Sequence, residues 1–283
     1  MLGIAAPASP FDRELFSRGI DVLKKMGFDV FHRPDIFAEE RYLAGTDERR
    51  TNELEELFAN PEISAILFAR GGYGTQRILP KLDLKKIKKN PKPVIGCSDL
   101  TPLLQVCSLQ GSPVFYGPVV TLLGKNPTEL TLQTLKNTLL EGRPAADASL
   151  ASCHILKPGK ARGRLIGGCL SLITSSLKTP YSLEPKGDIL FFEDVGEKTY
   201  VLDRKLTQLQ NSGFLKKCSG ILVGSLTPRE KEAHSVEEML KNCLADFDGP
   251  VVTNFPAGHT ENFHTLPLNT PATLDTTHGH LVF

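Results

Sequence analysis

Gly96-Cys97-Ser98-Asp99 is the segment of this chain best suited to covalent chemistry. The apolar residues 93–95 run into a glycine, then into small polar residues and a helical pattern. A tight strand-to-helix turn of this kind lifts one side chain above the sheet edge, as a nucleophile elbow does. The N–H of Asp99 would then stand at a helix N-terminus, placed to donate to a developing oxyanion. Leu100 stands where the G-x-S-x-G motif has its second glycine, so that motif is not met. Cys97 is a rival nucleophile, and Ser98-Asp99 also reads as an ordinary helix N-cap.

Arg70-Gly71-Gly72-Tyr73-Gly74 also follows an apolar run and opens a helical pattern. Its N–H groups could hold an anion, whether phosphate, carboxylate or oxyanion. It matches neither a Walker loop nor a G-x-G-x-x-G fingerprint. A serine hydroxyl needs a neighbouring base. His259 is the most suggestive of the seven histidines, because Gly258 lets the backbone turn its imidazole into a cleft. His264, five residues on, competes for that role. Phe191-Phe192-Glu193-Asp194 sets two carboxylates directly after an apolar run, where one could fix an imidazole tautomer. His278 and His280 alternate in an expected C-terminal strand, but no third ligand accompanies them and no metal site is expected.

The elements that must carry these groups alternate in the first half. Strands are expected at 2–6, 28–32, 63–69 and 92–96. The helical patterns between them include Leu15, Phe16, Ile20, Leu23 and Met26, stopped by Gly27. A charged helix buries Leu54, Leu57 and Phe58, another spans 99–109, and a further one runs from Asn126-Pro127 towards Gly142. Strand, helix, strand in succession points to an α/β fold with an open parallel sheet. The glycine-rich turns after 69 and 95 would share its carboxyl edge, where sites in such sheets lie. Residues 143–161 shift to Ala, Ser, Pro, Gly and Lys and read as an interdomain linker. The second half alternates less clearly, with strands at 165–168, 189–192, 220–223 and 250–253 and helices at 201–210 and 235–244.

Lys plus Arg number 33 against 32 acidic residues, a balance that leaves no footprint for nucleic acid or an anionic membrane. The lysines at 81, 85, 86, 88 and 89 read as a solvated face. No stretch approaches the roughly 20 apolar residues of a membrane span, and MLGIAAPASP lacks the basic start of a signal peptide. A cytoplasmic protein is expected. The six cysteines form no C-x-x-C pair, so neither disulfides nor zinc is expected.

Taken in order, the short motifs resemble the LD-carboxypeptidase family, which includes microcin-immunity peptidases. The matching segments are Ala6-Pro7, Tyr42-Leu43-Ala44-Gly45, Ala69-Arg70-Gly71-Gly72-Tyr73-Gly74, Gly96-Cys97-Ser98-Asp99 and Tyr116-Gly117-Pro118. They continue through Gly167-Gly168, Phe192-Glu193-Asp194-Val195, Asp203-Arg204 and Gly258-His259, with Thr265-Leu266-Pro267 behind. The resemblance implies a serine peptidase with Ser98 as nucleophile, Glu193 as triad acid and His259, ahead of Thr-Leu-Pro, as base. It implies oxyanion donors at the N–H groups of Asp99 and Gly72, with Gly71 the alternative. It also implies a Rossmann-like domain at 1–142 carrying Ser98 and a smaller mixed α/β domain at 162–283 carrying Glu193 and His259. The expected substrate is a murein tetrapeptide that loses its terminal D-Ala in cell-wall recycling, or else a peptide–nucleotide conjugate. No metal or organic cofactor is implied, and a homodimer is. Should the resemblance mislead, a non-catalytic anion-binding module is the remaining reading. Cys169 stands where many relatives have Asn, and Lys178 where Gly is usual; the chain also has no Trp.

Overall fold

Short apolar runs become strands here, and the stretches between them become helices, because local caps and turns bound each one. Asp12 accepts the Leu15 N–H at 2.7 Å to start the helix Arg13–Lys25, and Gly27, at φ 92°, follows its end. Thr46 caps the helix Asp47–Ala59 in the same way, accepting from Arg49 N at 3.1 Å. The computed structural model describes residues 1–141, 147–228 and 235–283.

The first five strands are β1 (Leu2–Ala5), β2 (Val30–His32), β3 (Ala65–Phe68), β4 (Val94–Gly96) and β5 (Val114–Tyr116). They pair in parallel in the order β5-β4-β3-β1-β2. The helices connecting them supply the apolar core, with Phe16, Leu23 and Leu135 packed among Ile4, Leu67 and Ile95. This is the expected open parallel sheet. The strand Leu266–Leu268 adds to it beside β5. Chain contacts accordingly group His264–Leu266 with Met1–Pro144 as one unit, a return that the sequence reading, with its second domain at 162–283, did not anticipate.

The second unit comprises Ala145–Phe263 and Pro267–Phe283. Its strands are β6 (Asp147–Ser149), β7 (His154–Lys157), β8 (Lys160–Cys169), β9 (Asp188–Glu197), β10 (Cys218–Pro228) and β11 (Val251–Thr253). After Leu266–Leu268, which is β12, come β13 (Thr270–Asp275) and β14 (His280–Val282). The sheet order is β6-β14-β13-β8-β9-β10-β11-β7, parallel from β8 through β11 and antiparallel elsewhere. The helix Thr199–Asn211 covers it with Leu202, Leu206 and Leu209 against Leu190, Phe192 and Ile221.

Three expectations need correction. The segment 143–161 is no bare linker: in its described part it contributes β6, β7 and the start of β8. Its Ala- and Ser-rich composition hid edge strands, whose exposed faces need no apolar alternation. His278 precedes β14 in a turn, so it does not alternate with His280 in one strand. The stretch 99–109 begins as a 3-10 turn, Ser98–Leu100, before the helix Thr101–Leu109. Among the described residues, no helix is long and apolar enough to cross a membrane.

Candidate active site

β4 ends at Gly96, Cys97 is still extended at φ −145°, and Ser98 then turns to φ 62°. A non-glycine residue at such an angle is uncommon, and the surroundings must hold it. Tyr116 does part of this: it lies opposite Gly96 in β5, is fully buried, and its hydroxyl accepts the Ser98 N–H at 2.9 Å. Thr101 Oγ1 donates to the Ser98 carbonyl at 2.8 Å. The helix Thr101–Leu109 has Leu100 as its N-cap and no side-chain cap, so the Ser98 hydroxyl is not spent on capping it. Cys97, the rival nucleophile, is buried, whereas Ser98 is half-buried at the turn.

Asp99 points elsewhere. Its buried carboxylate accepts Thr75 N at 2.8 Å and Thr75 Oγ1 at 2.6 Å, which ties the elbow to the turn after β3. Burial raises its pKa above the ordinary carboxylate range, with the Thr75 hydrogen bonds opposing the shift. That neighbouring turn presses directly on Ser98. A Cβ on Gly71 would lie 3.0 Å from Ser98 Cβ and 3.3 Å from Ser98 Oγ. Gly72 has φ 103°, and a Cβ there would meet Ser9 Oγ at 2.5 Å. Ser9 binds the turn from its other side, donating N–H to the Gly71 carbonyl at 3.3 Å and accepting from Tyr73 N at 3.0 Å.

Beneath these turns lies a charged layer that hydrophobic periodicity did not reveal. Arg50 is fully buried, and its Nη1 donates to the carbonyls of Pro7 and Gly74 at 2.5 and 2.9 Å. Glu53 is fully buried as well, accepting Ala6 N at 2.7 Å and pairing with Arg49 at 2.5 Å. Burial pushes the Glu53 carboxyl up to about 7, against the pull of Arg49 and the Ala6 amide. The sequence signal was there: Asp47, Arg50 and Glu53 follow Tyr42-Leu43-Ala44-Gly45 at one-turn spacing, on the same helix side as Leu54 and Leu57.

In the second unit, β9 delivers Glu193 fully buried, opposite Cys169 of β8. Glu193 Oε2 stands 2.7 Å from His259 Nδ1 and also accepts the His259 backbone N–H at 3.1 Å. An ionised carboxylate there places the imidazole proton on Nδ1 and leaves Nε2 as the basic atom. Gly258 makes this approach feasible: at φ 106°, a Cβ would lie 2.6 Å from Glu193 Oε2. Asp194 is committed to a different network. It accepts from Ser171 N at 2.9 Å, Ser171 Oγ at 2.7 Å and Lys205 Nζ at 3.3 Å. Cys169 Sγ lies 3.6 Å from the other Asp194 oxygen, and burial raises its thiol pKa well above the usual range.

The structure thus brings Ser98, Asp99, Gly71 and Gly72 together in the first unit, and Glu193 with His259 in the second. His264 is not with His259; it is buried in the first unit, its Nδ1 3.2 Å from the Thr265 carbonyl, and burial lowers its pKa. His278 and His280 each meet a different carboxylate, Asp275 at 2.9 Å and Asp147 at 3.1 Å. No group of three metal-ligating side chains occurs among the described residues. Lys178 has φ 64°, in the left-handed region that favours glycine. It lines a cavity of about 580 Å³ with Ser182, Glu184 and Lys217, and neither Glu193 nor His259 is in that lining.

Both units match models of one family. Residues 2–117 match the LD-carboxypeptidase N-terminal domain and residues 162–274 the LD-carboxypeptidase C-terminal domain. The chain belongs to the LD-carboxypeptidase family. Within it, the chain is 34% identical to the probable murein peptide carboxypeptidase of Bacillus subtilis, over 97% of this chain and 88% of that one. Among solved structures, the muramoyltetrapeptide carboxypeptidase of Oxalobacter formigenes superposes with a TM-score of 0.87 at 29% identity, covering 99% of this chain and 96% of that one. The microcin C7 self-immunity protein MccF in complex with aspartyl sulfamoyl adenosine gives 0.91 at 26% identity, covering 99% and 94%.

Proposed function

We propose that this LD-carboxypeptidase family member is a serine peptidase that removes the terminal D-Ala from murein tetrapeptides. The observation that carries the reading is the buried Glu193 carboxylate 2.7 Å from His259 Nδ1, the arrangement that orients an imidazole as a base. The left-handed turn at Ser98 supports it from the nucleophile side. Ser98 attacks the carbonyl of the amide between an L-configured centre and D-Ala. His259 Nε2 takes the Ser98 proton and delivers it to the leaving amine, while Glu193 stabilises the imidazolium. The N–H groups of Asp99 and Gly72 receive the oxyanion, with Gly71 the alternative; one such donor is worth about 3 kcal/mol of barrier. Water then hydrolyses the acyl-enzyme by the same base. The reading makes the protein a cytoplasmic homodimer working in cell-wall recycling, with no metal or organic cofactor.

The relatives named for murein peptides favour this substrate. The superposition on MccF favours a second one, an aminoacyl–nucleotide conjugate. The test is D-Ala release from L-Ala-D-Glu-meso-diaminopimelate-D-Ala by wild type and Ser98→Ala, beside hydrolysis of an aminoacyl sulfamoyl adenosine. Wild type should release D-Ala and Ser98→Ala should lose several orders of magnitude. A near-normal rate in Ser98→Ala would remove the nucleophile, and preference for the conjugate would move the substrate to the second reading.

A further inference from the structure

A carboxypeptidase must distinguish the end of a peptide from its middle, and the end differs by a free α-carboxylate. That anion lies one residue beyond the carbonyl that is attacked, about 3.8 Å along the chain. A cation close to the nucleophile can read that anion, provided that it is not neutralised by the protein's own acids. Most cations near the first-unit turns fail on the second count. Arg49 pairs with Glu53, Arg50, Arg77 and Lys81 with Asp47, and Arg41 with Glu40.

Arg70 differs. It is exposed, and it makes no ion pair with an acidic side chain among the described residues. Its Nη1 donates to a neutral acceptor, the Pro10 carbonyl, at 2.8 Å. One of five guanidinium N–H groups is thus used to hold the side chain, and the fork stays available for a bidentate carboxylate contact. Arg70 also stands beside the reacting group, since the next residue is Gly71, whose Cβ position lies 3.3 Å from Ser98 Oγ. Ser9, next to Pro10, donates its N–H to the Gly71 carbonyl, so anchor and turn belong to one loop cluster.

We propose that Arg70 reads the free α-carboxylate of the residue that is removed; this rests on the carboxypeptidase reading above. Arg70 is a specificity residue, outside the proton-transfer chemistry. The experiment compares two tetrapeptides, one ending in D-Ala and one in D-Ala carboxamide, with wild type, Arg70→Gln and Arg70→Lys. Thermal unfolding checks that each variant is folded. Wild type should prefer the free acid. Arg70→Gln should lose about 100-fold in kcat/KM on the acid and at most a few-fold on the amide, and Arg70→Lys should fall between. Equal losses on both substrates would overturn the proposal in favour of a structural role, and an unchanged rate on the acid would overturn it outright. Failure of the underlying reading looks different: wild type itself would release no D-Ala in a Ser98-dependent way, and the proposal would fall with it.

Discussion

The turn at Ser98 is shaped by backbone, whereas the pair at His259 is shaped by side chains. At Ser98 the chain is held at φ 62°, an angle that costs a non-glycine residue about 1–3 kcal/mol. Tyr116, Thr101 and the close turn at Gly71 hold it there, and every contact but the Gly71 one is made to Ser98 backbone atoms. At His259 a buried carboxylate grips both the ring and the backbone N–H of one residue. The first arrangement fixes where a hydroxyl sits without using that hydroxyl. The second fixes which nitrogen carries a proton. Each suits its proposed role, since a nucleophile needs position and a base needs a tautomer.

The largest test of this contrast is charge deletion at the second site. Glu193→Gln should lower kcat/KM by about 10³–10⁴-fold through the wrong tautomer, with the fold retained. Asp194→Asn should change activity by less than about 10-fold while costing about 1–3 kcal/mol of stability, because its partners are Ser171 and Lys205. Kinetics and urea unfolding of the two variants decide it, and the reverse ranking would pass the acid's role to Asp194.

Adding a methyl at each site should separate the two modes of support. Gly71→Ala crowds Ser98 and should reduce kcat about 10–100-fold with little change in melting temperature. Gly258→Ala collides with Glu193 at φ 106° and should lower stability by about 2–3 kcal/mol as well as activity. Equal stability losses in both would mean that the Ser98 turn is no more adaptable than the Glu193 pair.

The smallest effect concerns the histidine that is not in the pair. Burial lowers the pKa of His264 below its ordinary 6.5, so the folded state binds fewer protons than the unfolded one below that pH. Its contribution to stability is therefore lost as pH falls through 6.5 and below. His264→Asn keeps a donor near the Thr265 carbonyl and removes the titration. Between pH 7.5 and 5.5, urea unfolding should show the variant losing about 1 kcal/mol less stability than wild type. Parallel pH profiles would show that His264 is not held neutral.

The parallel sheet, the helices of the first half and the Gly-His and Phe-Phe-Glu segments could be read from the chain because apolar period and turn residues mark them directly. Arg50 and Glu53 left only a weak trace, their spacing on the side of Leu54 and Leu57: on a charged helix, a buried arginine and a solvated one look alike until the carbonyls of Pro7 and Gly74 are in place. The residues alone left Glu193 and Asp194 open, and only the family resemblance favoured Glu193. Adjacent residues of a strand face opposite sides, and sequence does not say which side holds the imidazole. The strands at 147–149 and 154–157 were hidden for the converse reason, being edge segments with little to bury.

The return of His264–Leu266 to the first unit bears on how the protein is born. A ribosome makes the chain in the N-to-C direction, so all five parallel strands are made once residue 116 is. The strand beside β5 is not synthesised until 266–268, after nearly all of the second unit, and Thr265 N then bonds Thr134 Oγ1 at 3.2 Å. The unit that emerges first is thus completed only after most of the second has been made. Throughout that interval β5 offers an uncovered edge to the crowded cell, and at three residues it offers very little.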